Sequence, residues 1–384
     1  MISPPPFFIC CLLLVFLPLS ILLSANTNSI RIPLQLHPIF PRFKTATGSS
    51  SVLPVYLGTV ENTPRVVIRR RFNGDGALLR RAARCKPNPI SPGKVAFMFL
   101  TTVPLPFAPL WERFFANRTG LFNIYVHADP TRPYPVPFEG VFSGRVIPSS
   151  KPTRRAHHSL IAAARRLLAH ALLDDPGNAV FVLLSPSCIP LRSFPFVHRA
   201  LIGRGGGGKS FIEILAGEPG IEERYNARGE GTMMPEVPFE RFRVGSQFFS
   251  LRRRHAVAVA NDTALWSKFR RPCRDADSCY PEEHYFATLL SMRDPRGCVP
   301  ATLTHVDWTG SVGGHPRTYA PEEVGPDLIR GLRSARPRYG EDAVWGEAMD
   351  KRWDPFLFAR KFAPECLVPL MRIADEVILL HDRR

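Results

Sequence analysis

Three short runs of apolar residues constrain this chain more than any other feature: Lys94-Val95-Ala96-Phe97-Met98-Phe99-Leu100, Leu121-Phe122-Asn123-Ile124-Tyr125-Val126-His127 and Ala179-Val180-Phe181-Val182-Leu183-Leu184. Runs this short and this apolar are the pattern of strands buried on both faces. Between them lie segments with helical spacing. Pro109 to Phe115 tolerates its proline in the first turn. Ser159 to Leu173 is amphipathic, with Ser159 at the cap position. Strands alternating with helices predict an α/β body with a mixed, mainly parallel sheet flanked by helices. Arg145-Val146-Ile147 reads as a further short strand, and Gln247 to Leu251 as a strand running into a helix at Arg252 to His255. Sheets of this kind bind ligands at the carboxyl ends of their strands. That directs attention to Asp129 after the second run, and to Ser185 and Ser187 after the third.

The ends of the chain differ from this body. Phe7 to Ser24 carries no charge and is long enough to span a bilayer. No Lys or Arg precedes it, and Leu23 stands where a cleavage site needs a small residue, so it reads as an uncleaved anchor rather than a signal peptide. The resulting division is a tail at 1–6, a transmembrane anchor at 7–24, a stem at 25–92 and a folded domain at 93–384. The stem is rich in Pro, Asn, Ser and Arg and lacks sustained periodicity. Between Arg65 and Lys86 it holds eight cations against the single acid Asp75. Behind a membrane anchor, such a run reads as a solvated linker near anionic lipid, not as a nucleic-acid site.

The side of the membrane follows from two further features. Asn117-Arg118-Thr119 and Asn261-Asp262-Thr263 are glycosylation sequons. Six cysteines follow the anchor, an even number that fits disulfides in an oxidising compartment; Cys273, Cys279 and Cys298 are close enough in sequence for a local bridge. Arg31, Arg42 and Lys44 follow the anchor and oppose a lumenal body by the positive-inside rule. The glycine-rich Arg204 to Lys209 lacks the spacing of a P-loop and reads as a flexible connection.

The segment Pro281-Glu282-Glu283-His284 has the grammar of a helix start, with proline first and acids in the first turn. The same placement holds a carboxylate on a rigid element, where it can accept a proton. A literal Asp-x-Asp, Asp275-Ala276-Asp277, lies in a polar, cysteine-flanked loop after no apolar strand, which argues against a metal role.

The blocks KVAFMFLT, PLPFAPLWERFF, FNIYVHADP, FVLLSPSCIPL, CYPEEHYFATLL, HVDW and FLFARKF occur in this order. In them the chain resembles the plant branch of the core-2/I-branching β-1,6-N-acetylglucosaminyltransferases, over about residues 94 to 370. The resemblance implies a GT-A (Rossmann-like) fold in a single-pass type II Golgi membrane protein with a lumenal catalytic domain. It implies inverting transfer of a sugar, N-acetylglucosamine above all, from a UDP-sugar to a glycan, glycoprotein or cell-wall acceptor, with no metal ion or other cofactor.

The resemblance also assigns residues. Glu283 matches the general base, with Glu282 as its bystander, turned about 100° away around the helix. Lys361 matches a diphosphate-binding lysine, with Arg333 and Arg338 as candidates for its partner. Asp129 matches a uridine contact. Glu213, Arg224 and Trp308 fit acceptor-binding positions. There are departures near Arg155 and Pro186: the segment Arg154 to Ser159 stands where plant members usually have a Trp-Gly pair before the serine, and Pro186 replaces a usual acidic residue. Two other functions stay open, a catalytically weak glycan-binding protein of the same fold and a metal-dependent transferase using Asp275 and Asp277.

Overall fold

The computed structural model describes residues 73–87, 93–134, 138–203, 208–311, 313–340, 349 and 351–380. The expected tail and anchor, most of the stem and residues 204–207 of the glycine-rich connection lie outside the described residues. Among the described residues no helix is long and apolar enough to cross a membrane.

The three apolar runs form β1 (Lys94–Thr101), β2 (Phe122–Ala128) and β3 (Asn178–Leu184). Shorter strands follow: β4 (Ile189–Pro190), β5 (Ser210–Phe211), β6 (Ser250–Arg252), β7 (Cys298–Val299), β8 (Thr304–Val306) and β9 (Phe358–Arg360). The main sheet has six strands in the order β2-β1-β3-β6-β5-β7. β1 pairs in parallel with β2, Phe97 opposite Ile124, and with β3, Phe97 opposite Val182. β5 and β7 are also parallel, while β6 runs antiparallel to both β3 and β5. The sheet is therefore mixed and mainly parallel. Arg145 to Ile147 makes only an isolated bridge, Val146 against Val126.

A second sheet, β4-β9-β8, was not foreseen. Strands of two or three residues are too short to show a period. Aromatic packing fastens this sheet to the first. The Phe358 ring of β9 lies 6.3 Å from Phe97 of β1, edge to face, and 6.1 Å from Trp111. These contacts fix the position of the Arg360-Lys361 pair at the end of β9.

Five helices matter for the site: α1 (Asp75–Ala83), α2 (Ala108–Phe115), α3 (His158–Asp174), α4 (Arg253–Asn261) and α5 (Tyr285–Arg293). α3 was expected to show a polar face to water. Instead Arg165, Arg166 and His170 are buried with its apolar residues. α1 and α4 pack over it. α1 falls within the segment read as stem, yet it buries Leu78, Leu79 and Ala82. Its Asp75 takes a bidentate hydrogen bond from Arg166 of α3, at 3.0 and 2.7 Å. The expected cap at Ser159 is also displaced. The His157 ring accepts the Ser159 amide at 3.2 Å, and the Ser159 hydroxyl accepts the Arg154 amide at 2.9 Å.

Candidate active site

A cavity of about 670 Å³ is walled by β8 and β9 of the second sheet and by surrounding loops and turns. Six residues singled out in the sequence meet here: Glu213, Arg224, Glu283, Trp308, Arg338 and Lys361. Asp129 and Arg333 are not part of its lining.

The acidic side is built on the Pro281 turn. Pro281–Glu283 forms a single 3-10 turn ahead of α5, with proline at its start, and the interior of α5 is buried almost throughout. A chain segment before β6 locks this turn in place. The Gly245 amide donates to the Glu283 carbonyl at 2.7 Å, while neighbouring Val244 and Leu215 exchange backbone hydrogen bonds at 3.0 and 2.8 Å. A side chain at 245 has no room, since its Cβ would sit 1.9 Å from the Glu213 carbonyl oxygen. Glu213 and Glu283 thus face one cavity from two strands of chain held at glycine distance.

The Glu283 carboxylate accepts from Arg224 Nη1 at 3.1 Å. Burial raises its pKa, and Arg224, then Arg155 and Arg360, oppose the rise. Burial pushes the Glu213 carboxyl up to about 7 against the pull of Arg338, and the nearby Glu218 and Glu283 add to the rise. Glu282 is not turned away from this site. Pro281 and Glu282 are both buried, and Glu282 lines the cavity beside Glu283. Glu282 Oε1 accepts the Ala156 amide at 3.0 Å, Oε2 has no hydrogen-bond partner, and burial pushes the carboxyl up to about 7.

The cationic side gathers at the end of β9. Lys361 Nζ lies 3.1 Å from His315 Nδ1, and Arg155 Nη1 meets Nε2 of the same ring. The Arg360 guanidinium lies 4.4 Å from the Phe248 ring, its Nε buried without a partner. Burial lowers the pKa of Lys361, with Arg360 and Arg155 adding to the drop. The two arginines expected beside Lys361 are engaged elsewhere. Arg338 pairs with Glu218 at 2.6 Å. Arg333 donates to the backbone carbonyls of Leu191, Val377 and Ile378 at 2.6, 2.7 and 3.0 Å. Trp308 stands at the cavity, 52% exposed.

Asp129 is buried at the end of β2 and its oxygens are occupied. Oδ1 accepts from the amide and hydroxyl of Thr131, Oδ2 from those of Thr153. Burial alone would raise this carboxyl, but the four hydrogen bonds bring it down to about 2. Asp275 and Asp277 are exposed in a loop closed by the Cys273–Cys279 disulfide, outside the cavity lining. Among the described residues no three His, Cys, Asp or Glu side chains group as metal ligands. Cys298 is free and buried. Asn117 and Asn261 are both exposed.

Sequence reasoning did not nominate His315, Arg360 or Gly245, and it noted Arg155 only as a departure. None of the four carries a local spacing signal. Arg360 adjoins Lys361 in the FLFARKF block, the one pointer available in the sequence.

An α/β body with one cavity that sets carboxylates against cations is the layout of an enzyme joining two polar substrates. Comparison with known proteins narrows the class. Residues 95–333 match the model of the core-2/I-branching enzyme family. A rice protein, Oryza sativa subsp. japonica, named glycosyltransferase BC10, is 31% identical over 318 residues, 73% of this chain and 77% of that protein. The chain belongs to the core-2/I-branching enzyme family and is a glycosyltransferase.

Proposed function

We propose that this enzyme moves a sugar, N-acetylglucosamine first among the candidates, from a UDP-sugar to a hydroxyl of a glycan, glycoprotein or cell-wall acceptor, with inversion and without a metal ion. One observation carries the reading. Glu283 and Lys361 line the same cavity, with acids around the first and cations around the second.

A sugar hydroxyl is a weak nucleophile at neutral pH, and a carboxylate within reach removes its proton as the new bond forms. Burial makes Glu283 a stronger base than an exposed carboxylate, while Arg224 holds it in the charged form. Attack from the face opposite the leaving group inverts the anomeric centre. Departure of UDP develops negative charge on the diphosphate, and a fixed ammonium such as Lys361 offsets it in a site of low dielectric. The exposed Trp308 face offers packing for a sugar ring. Glu213, with its proton retained to about neutral pH, can donate as well as accept a hydrogen bond to a hydroxyl. The same reading makes the protein a single-pass type II Golgi membrane protein, anchored through 7–24 and glycosylated at Asn117 and Asn261.

The test is UDP release from a panel of UDP-sugars. Activity should persist in EDTA. Glu283→Gln should lower kcat by roughly 10²–10⁴-fold, leaving the Kd for UDP unchanged. Activity lost in EDTA would transfer the reading to a metal-dependent reaction, and a wild type that consumes no UDP-sugar would end it.

A further inference from the structure

Glu282 is only 5% exposed, yet it lines the cavity. Its two oxygens are treated differently. Oε1 accepts the Ala156 amide at 3.0 Å, while Oε2 has no hydrogen-bond partner among the described residues. Ala156 sits at φ 52°, where a residue other than glycine needs such an anchor, so Oε1 is committed to the backbone. Two cations are close enough to interact electrostatically with Glu282 without closing the gap at Oε2. The Arg228 guanidinium is buried 5.0 Å from the Phe269 ring, and none of its nitrogens has a partner among the described residues. Arg155 turns to His315 and to the carbonyls of Gly313 and Gly314. Glu283 differs, because Arg224 already donates to it. A buried polar atom left unpaired is costly, and on a cavity wall the missing partner comes from what enters the cavity.

The neighbours of Glu282 fix where on the wall this oxygen lies. The amide it holds belongs to Ala156, next to Arg155, and Arg155 reaches the His315 ring whose other nitrogen is 3.1 Å from Lys361. Its neighbour on the turn is Glu283. Glu282 therefore stands between the cationic end of the cavity and the base. With the donor diphosphate at the cations and the attacked hydroxyl at the base, the transferred sugar spans the interval between them.

We propose that Glu282 hydrogen-bonds a hydroxyl of the transferred sugar through Oε2, which makes it a specificity-determining residue for the donor. This rests on the donor reading above and adds to it a contact with the sugar itself. Burial pushes the carboxyl up to about 7, and a neutral carboxyl donates as well as accepts, as a hydroxyl does. It also places no second full negative charge beside the base. A site built to hydrogen-bond a hydroxyl discriminates against sugars that lack it, because the buried group is then left unpaired.

Calorimetric titration of the full chain tests this. The probes are UDP and whichever of UDP-N-acetylglucosamine, UDP-glucose, UDP-galactose and UDP-xylose the wild type binds tightest. The quantity read is the Kd for UDP divided by the Kd for that UDP-sugar. Loosening of the Ala156 segment weakens both ligands alike and leaves this ratio unchanged, whereas loss of a sugar contact lowers it. In Glu282→Leu the ratio should fall by at least about tenfold. Glu282→Ala, which adds no branched bulk, serves the same purpose if a melting curve shows the leucine variant unfolded. Glu282→Gln keeps an acceptor for the Ala156 amide and a hydrogen-bonding group toward the sugar, and should retain most of the ratio. The inference is overturned if the ratio stays at the wild-type value without the carboxyl, which would leave Oε2 to water alone. It is overturned as well if Glu282→Gln falls as far as Glu282→Leu, or if the wild type binds UDP but none of the UDP-sugars. A wild type that binds neither UDP nor any UDP-sugar ends the donor reading itself.

Discussion

Arg224 and Glu283 make a pair whose worth lies in a proton affinity rather than in stability. Both are partly exposed, and such pairs contribute little to folding. Their effect on the base is larger. Burial raises the pKa of Glu283 and Arg224 opposes the rise, so removing Arg224 lets it climb further. A general base must be ionised to act, so activity falls as pH drops through its pKa. In Arg224→Ala the acidic limb of kcat/KM should move to higher pH, with little change in the melting temperature. A limb that stays in place would show that a group other than Glu283 sets it. Asp129 shows the converse, a carboxylate that resembles a ligand contact yet has all its lone pairs committed to Thr131 and Thr153. Its folded pKa of about 2 lies below that of an unfolded Asp, so it contributes stability at neutral pH that is lost as pH falls toward 2.

At the scale of elements, the site depends on how closely two chain segments approach. Gly245 passes between the Glu213 carbonyl, 1.9 Å from where a Cβ would be, and the Glu283 carbonyl that accepts its amide. Gly245→Ala must push these segments apart, because backbone cannot rotate aside as a side chain can. Overpacking of this kind costs about 1–3 kcal/mol. The displaced turn carries Glu283, so kcat should fall by at least about tenfold, while the Kd for pyrophosphate stays near wild type because the cations lie on other elements. Equal losses in both would point to general unfolding, which a melting curve would reveal. The Pro281 turn itself was legible, since proline followed by acids announces a helix start. That Glu282 also reaches the cavity wall was not, because a helical-wheel argument assumes one face in solvent, and here the turn is buried around it.

For the molecule as a whole, a helix outside the expected domain packs over α3 and α4. α1 lies before residue 93, yet its Asp75 pairs with Arg166 of α3, 91 residues away, and its leucines cover that helix. This explains why α3, polar on one side by its sequence, is buried around its circumference. Arg166 is nearly inaccessible and Asp75 about a third exposed. Asp75→Ala leaves the arginine without its main partner and should destabilise the protein by about 1–3 kcal/mol, read as a lower urea midpoint. No change in the midpoint would mean that α1 does not belong to the cooperative unit.

The sequence by itself determined the strands β1, β2 and β3, the helices between them, the turn that carries Glu283 and the family to which the chain belongs. These are encoded by neighbours: apolar runs, helical spacing and a proline before acids are all read within a few residues. Only the tertiary structure decided which residues share the cavity. His315 touches Arg155, 160 positions earlier, and Lys361, 46 positions later. No local pattern records such a meeting, since it arises from how two sheets pack through Phe97, Trp111 and Phe358. Arg333 and Arg338 were candidates by resemblance, yet the folded chain engages Arg333 with backbone carbonyls and Arg338 with Glu218. A charge is placed by the distant surfaces that bury or pair it, and those surfaces exist only once the chain has folded.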